Sequence, residues 1–176
     1  MTKSRPTDVE YAAYFSRYVS LVPETDVMAV LEEQPAELTH MAALVEADRE
    51  RFRYDTDKWS IREVFGHLSD AERVFGYRAF CISRGEQAFL PAFDENAYVA
   101  RAHYDEQALA ELLAEFIAVR RANIAFLRHM GDREWERTGT ASNTPVSVRA
   151  LAFVMAGHVR HHVALLRKNY GVVPRA

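Results

Sequence analysis

Apolar residues return every three or four positions through most of this chain, and runs that alternate apolar with polar are nearly absent. A period near 3.6 gives each segment one apolar stripe, which is stable only when buried against other helices. The fold class is therefore all-α. Tyr11, Tyr14, Phe15 and Tyr18 predict a short amphipathic helix ending before Pro23, whose ring cannot continue it. A second helix begins at Thr25 or Asp26 and runs through Val27, Val30, Leu31, Leu38, Met41, Leu44 and Val45, with a kink or break expected at Pro35.

Ser60-Ile61-Arg62-Glu63 has the S-x-x-E form of a capping box, so a third helix starts there. Its stripe is Ile61, Val64, Leu68, Ala71, Phe75, Ala79 and Ile82, and Gly85 is its stop. Residues 86–104 carry Pro91, Asp94 and Asn96 without a sustained period, which predicts a long crossover loop with a turn of helix at Glu95 to Ala100. Leu109, Leu112, Leu113, Phe116, Asn123, Ile124 and Leu127 mark the next helix, ending near Gly131. After a turn-rich stretch from Gly139 to Pro145, Ser147 caps the last one. Four long helices joined in this way predict one domain over 1–176, a four-helix bundle of up-down-down-up type with a long crossover loop. Bundles of this kind build cofactor sites from inward-facing side chains.

The charge pattern excludes some functions. Twenty-two basic residues are spread among 25 acidic ones for a net charge of −3, without the concentrated positive charge that nucleic-acid binding requires. The apolar runs fall well short of the ~20 residues of a membrane span. MTKSRPTDVE lacks an apolar signal region, and a lone cysteine, Cys81, cannot form an internal disulfide, so the expected setting is the cytoplasm.

Histidines carry the chemistry. On the last helix His158 and His162 fall within the stripe of Val148, Leu151, Met155, Val159, Leu166 and Tyr170, one turn apart on one face. Two inward imidazoles spaced this way suit adjacent vertices of one metal's coordination shell, and hydrogen-bonded core histidines satisfy the same spacing. His67 sits at the edge of the third helix's stripe, where an inward-leaning ring reaches a neighbouring helix. Three protein ligands leave a coordination position open, which is the arrangement of a catalytic metal site. His161 points roughly 60 to 100° away from the pair and reads as a neighbour of the ligands. Asp70, three residues after His67, either orients a ligand or is solvated. Arg120 and Asn123 interrupt an apolar stripe, so they either satisfy each other and the backbone or face a substrate pocket, where Arg120 would hold an anionic group. His40, His103 and His129 read as exposed or structural.

WSIREVFGHLSDAERVF, followed about 90 residues later by PVSVRALAFVMAGHVRHHVALLRKNYG, resembles the DinB-like family of metal-binding four-helix bundles. The similarity extends over nearly the whole chain, through PAFDENAYVARAHYD and the R-x-x-N helix. It implies that His67, His158 and His162 bind a divalent metal, zinc or nickel first among the candidates. Relatives include bacillithiol S-transferases and mycothiol-dependent maleylpyruvate isomerases. The resemblance thus implies a small-molecule enzyme that activates a low-molecular-weight thiol for attack on an electrophile. Metal-dependent hydrolysis and noncatalytic binding of a metal or small molecule are the alternatives. The family also implies a homodimer, for which the aromatic first helix is the candidate surface.

Overall fold

The computed structural model describes residues 4–174, so residues 1–3 of the segment judged free of a secretion signal lie outside it. Its helices are α1 (Ser16–Val19), α2 (Val27–Ala43), α3 (Ile61–Ser83), α4 (Glu95–Ala102), α5 (Leu109–Arg128), α6 (Asp132–Trp135) and α7 (Val148–Tyr170), with one antiparallel hairpin, β1 (Thr138–Ala141) and β2 (Thr144–Ser147). The long helices begin where side chains satisfy their free amides. Asp26 accepts from the Ala29 amide, Ser60 from Glu63 and Ser147 from Ala150, and Glu63 closes the capping box on the Ser60 amide. Gly171, at φ 68°, ends α7 in the left-handed conformation that suits a residue without Cβ.

Helices α2, α5, α3 and α7 form the bundle, in which α3 packs on α5 and α7, and α2 packs on the same two helices from the opposite side. The core divides into two apolar clusters separated by a polar layer. One contains Val27 to Leu31, Ala71 to Ile82, Ile124 to Leu127 and Val148 to Ala156; the other contains Leu38 and Met41, Ile61 to Leu68, Leu109 to Phe116 and Val159 to Tyr170. Helices α2 and α7 therefore run from the first cluster to the second, and α3 and α5 run back. This is the expected up-down-down-up order. Because α3 and α5 are parallel neighbours, their connection must travel the length of the bundle, and it carries α4 on the way.

Four expectations are corrected. The first aromatic segment is not one helix: two 3-10 turns precede α1, and Tyr11 between them is extended at φ −155°. Its aromatics do not form an exposed face either, since Tyr11 and Tyr18 are buried against the bundle and only Tyr14 is largely exposed. The stretch from Gly139 to Pro145 belongs to a hairpin whose turn residues, Ser142 and Asn143, take φ 53° and 64°, as a type I′ turn requires. Finally, α2 runs through Pro35 unbroken. Proline lacks the amide that would bond the Leu31 carbonyl, and Arg120 Nη1 donates to that carbonyl instead at 3.4 Å.

No helix among the described residues is long and apolar enough to cross a membrane.

Candidate metal centre

Glycine precedes two of the three inward histidines. A Cβ at Gly157 would lie 2.0 Å from the Tyr18 carbonyl oxygen, and one at Gly66 would lie 2.4 Å from the Tyr104 ring. Only the bare backbone lets α1 lie on α7 and Tyr104 lie on α3 this closely. Tyr18 is thereby brought edge-on to His158 at 5.3 Å.

His67, His158 and His162 are buried, and their ligand nitrogens all lie within 4.8 Å of one another. His158 Nε2 stands 3.0 Å from His67 Nε2 and 3.2 Å from His162 Nε2. Nitrogens bound to one ion at about 2.0–2.1 Å lie roughly 2.9–3.4 Å apart for angles between square and tetrahedral, so the spacing suits a shared cation. Burial pushes the His67 pKa down to about 4, with a smaller push from His161. Burial drives His158 and His162 well below the ordinary value too, His158 also through its neighbour His162. All three are neutral, as metal ligands must be.

Hydrogen bonding among the rings does not satisfy them. A neutral imidazole has one donor and one acceptor nitrogen. If His67 and His162 donate to His158 through Nε2, their Nδ1 lone pairs are buried without a donor; if they carry protons on Nδ1, those protons lack acceptors, and at most one proton, on His158 Nε2, lies among the three converging Nε2 atoms, too few to separate all their lone pairs. Neither Nδ1 has a hydrogen-bond partner among the described residues. A cation among the Nε2 atoms removes the lone-pair conflict, so the donor set fits a divalent metal. Metal-bound histidines are usually oriented by a hydrogen bond on the far nitrogen. Here aromatic packing does that work for two of them, with Trp59 4.6 Å from His67 and Tyr18 and Phe75 edge-on to His158.

The cluster opens into a cavity of about 630 Å³ lined by Tyr14, Phe15, Tyr18, Trp59, Phe75 and Phe93, with Arg17, Arg78, Glu95, Ser142, Thr144 and His161 as its polar groups. His161 packs edge-on to His162 at 5.1 Å and is half-buried, so it lies beside the ligand rings. The other candidates lie elsewhere. Asp70 accepts a 2.6 Å hydrogen bond from the Tyr104 hydroxyl rather than bonding a histidine. Arg120 and Asn123 do not line the cavity. Arg120 makes a two-pronged pair with Glu72 at 2.8 and 2.9 Å, Asn123 donates to the same carboxylate at 2.8 Å, and Gln34 accepts from Arg120 at 2.6 Å. Both residues are thus paired within the bundle, through Glu72 and Gln34 rather than through each other. His40, His103 and His129 are exposed, as expected.

Sequence reasoning missed Trp59, Arg78 and Ser142 as members of the cavity wall. Trp59 was within reach, because it stands directly before the capping serine, two residues ahead of the helix that carries His67.

A family model described as the DinB superfamily matches residues 30–166. Three chains among solved structures match. One of them, from Bacillus subtilis, is described as "YfiT from Bacillus subtilis is a probable metal-dependent hydrolase with an unusual four-helix bundle topology". It is 19% identical to this chain with a TM-score of 0.74, over 96% of this chain and 94% of that one. No curated protein matches.

Proposed function

We propose, from the premise that the chain belongs to the DinB superfamily, that it is a metal-dependent enzyme of small molecules, and that its reaction is thiol-dependent S-transfer. One observation carries the reading: three buried neutral imidazoles, whose Nε2 atoms converge with His158 Nε2 at 3.0 and 3.2 Å from the other two, form the floor of an aromatic-walled cavity. When bound, a divalent ion there supplies Lewis acidity, lowering the pKa of a thiol or water beside it. His67, His158 and His162 would hold it, and Tyr18, Trp59 and Phe75 would fix the rings and keep bulk water from the floor. Their apolar faces favour a substrate with a hydrophobic body. Among the described residues no carboxylate is hydrogen-bonded to the histidine cluster, and thiol activation needs no further base once the proton has left.

Hydrolysis is the second reading, in line with the description of the Bacillus subtilis protein. Glu95, half-buried in the cavity wall, is the observation that favours it, since hydrolysis calls for a general base.

Metal analysis of protein purified without a histidine tag, followed by titration of the cobalt-substituted protein with bacillithiol and glutathione, separates the two. Thiol transfer predicts a charge-transfer band that grows with thiol. Bound metal with no response to any thiol would leave hydrolysis, on which Glu95→Gln then reports. Metal content unchanged in His158→Ala would overturn the site itself.

A further inference from the structure

Two arginines are buried among the described residues, and their surroundings differ. Arg120 is matched by Glu72, whereas Arg78, only 3% exposed, meets no carboxylate among the described residues. Its Nη2 donates to the Pro91 carbonyl at 2.7 Å and to the Ser142 hydroxyl at 2.9 Å, both neutral acceptors. Five donors less these two leave three, and the side chain lines the cavity. Burial alone lowers its pKa, with no charged neighbour contributing. Glu95 shares the cavity wall but forms no ion pair with it. A buried cation without a counter-charge is costly. Such a group is retained where a ligand brings the anion.

Placement supports this. Arg78 follows His67 by eleven residues on α3, which returns it to the same helix face about 16 Å further along the axis. Phe75 lies between them on the cavity wall. Side chains lean toward the helix N-terminus, which brings the guanidinium back toward the histidines. We infer that Arg78 is the anion-binding end of the cavity, taking the carboxylate of an elongated ligand whose other end reacts at the histidine cluster. The carboxylate belongs either to the thiol or to its reaction partner, and this part of the inference rests on the function proposed above.

Calorimetry on the full chain with ω-mercapto acids of three to eleven carbons, each against its length-matched ω-mercapto alcohol, tests it. At the best length the acid binds about tenfold more tightly, as a charge-assisted pair to a buried guanidinium requires. In Arg78→Met the ratio falls to about one while the alcohol's affinity changes by less than about threefold. Arg78→Lys keeps the charge without the fork, and serves if Arg78→Met does not fold; there the ratio drops at least about threefold. A ratio near one at every length in the wild type, or an unchanged ratio in a folded Arg78 variant, overturns the inference. Thiol-free acids of the same lengths locate the source: if they retain the whole preference the carboxylate comes from the reaction partner, and if the joined thiol is needed it comes from the thiol. Metal content of the same samples keeps the two readings apart. A preference shown by plain acids in protein unable to hold metal leaves Arg78 standing and removes the metal reading, and bound metal with no preference does the reverse.

Discussion

Two buried polar clusters share the middle of this bundle, and they are built to opposite standards. Around Glu72 every strong group is matched: Arg120 and Asn123 of α5 converge on the carboxylate, Gln34 of α2 accepts from Arg120, and its amide donates to the Ala156 carbonyl of α7 at 2.7 Å. This cluster ties all four helices together and needs nothing further. Around His158 the three rings meet nitrogen to nitrogen, two Nδ1 atoms have no partner, and a cavity opens beside them. A cluster complete in itself serves the fold. One that is incomplete is open to a ligand.

The largest test of that contrast is Arg120→Met. It leaves Glu72, at 2% exposed, as a buried carboxylate without its cation, and costs about 3–5 kcal/mol, read as a melting temperature lower by ~10 °C. A melt within ~2 °C of wild type would mean that the complete cluster does not carry the fold.

His158→Ala probes the incomplete cluster from the other side. In metal-free protein it removes a buried ring against which Tyr18 and Phe75 pack, a cost that does not depend on metal. With zinc or nickel at a hundred to a thousand times the dissociation constant, the wild type gains about 3–4 kcal/mol that the variant does not. Thermal melts with and without metal show the difference, and equal gains in both proteins would break the comparison.

Acid provides a third test. Burial lowers His67 to about 4, so the unfolded chain, with histidine near 6.5, takes up protons first. Metal-free stability therefore falls as pH drops from 6.5 toward 4, by about 3 kcal/mol for His67 alone. Glu10 behaves oppositely in range. Burial raises its pKa, but hydrogen bonds from Arg149, the Thr7 amide and Ser147 outweigh that and bring it down to about 2. Its contribution is intact above pH 4.5 and is lost only as pH falls toward 2. Urea midpoints between pH 6.5 and 4.5 thus report the histidines, and in His67→Ala the slope there flattens.

Gly157→Ala has the smallest expected effect, about 1–3 kcal/mol. The new methyl group pushes the Tyr18 carbonyl away and takes the Tyr18 ring off His158. Metal affinity should fall alongside stability, and a stability loss with unchanged metal affinity would show that ring packing does not orient the ligand.

What could be read in advance follows from how local each signal is. Helix α3 was legible to within a residue or two because its capping box and its stripe lie in one continuous segment. The histidine pair was legible for the same reason, and His67 needed only the neighbouring helix face. The role of Arg120 was left open because Glu72 stands 48 residues away and reads like any acid between two helical turns. Arg78 escaped notice because a charge between Phe75 and Ala79 reads as solvated, and the loops that bury it come from Pro91 and Ser142. The hairpin was missed because each strand is four residues long, too short for alternation to separate it from a loop.

Pro35 has a consequence for alignment. By failing to bond the Leu31 carbonyl, it leaves one acceptor exposed on an otherwise closed helix, facing the Arg120 guanidinium. If α2 slid one turn along α5, Arg120 would face carbonyls already bonded within the helix, and the open one would face apolar side chains. The irregularity thus works as an index mark: it distinguishes one setting of two smooth helices from its near-equivalents, and it does so with a bond that the proline withholds.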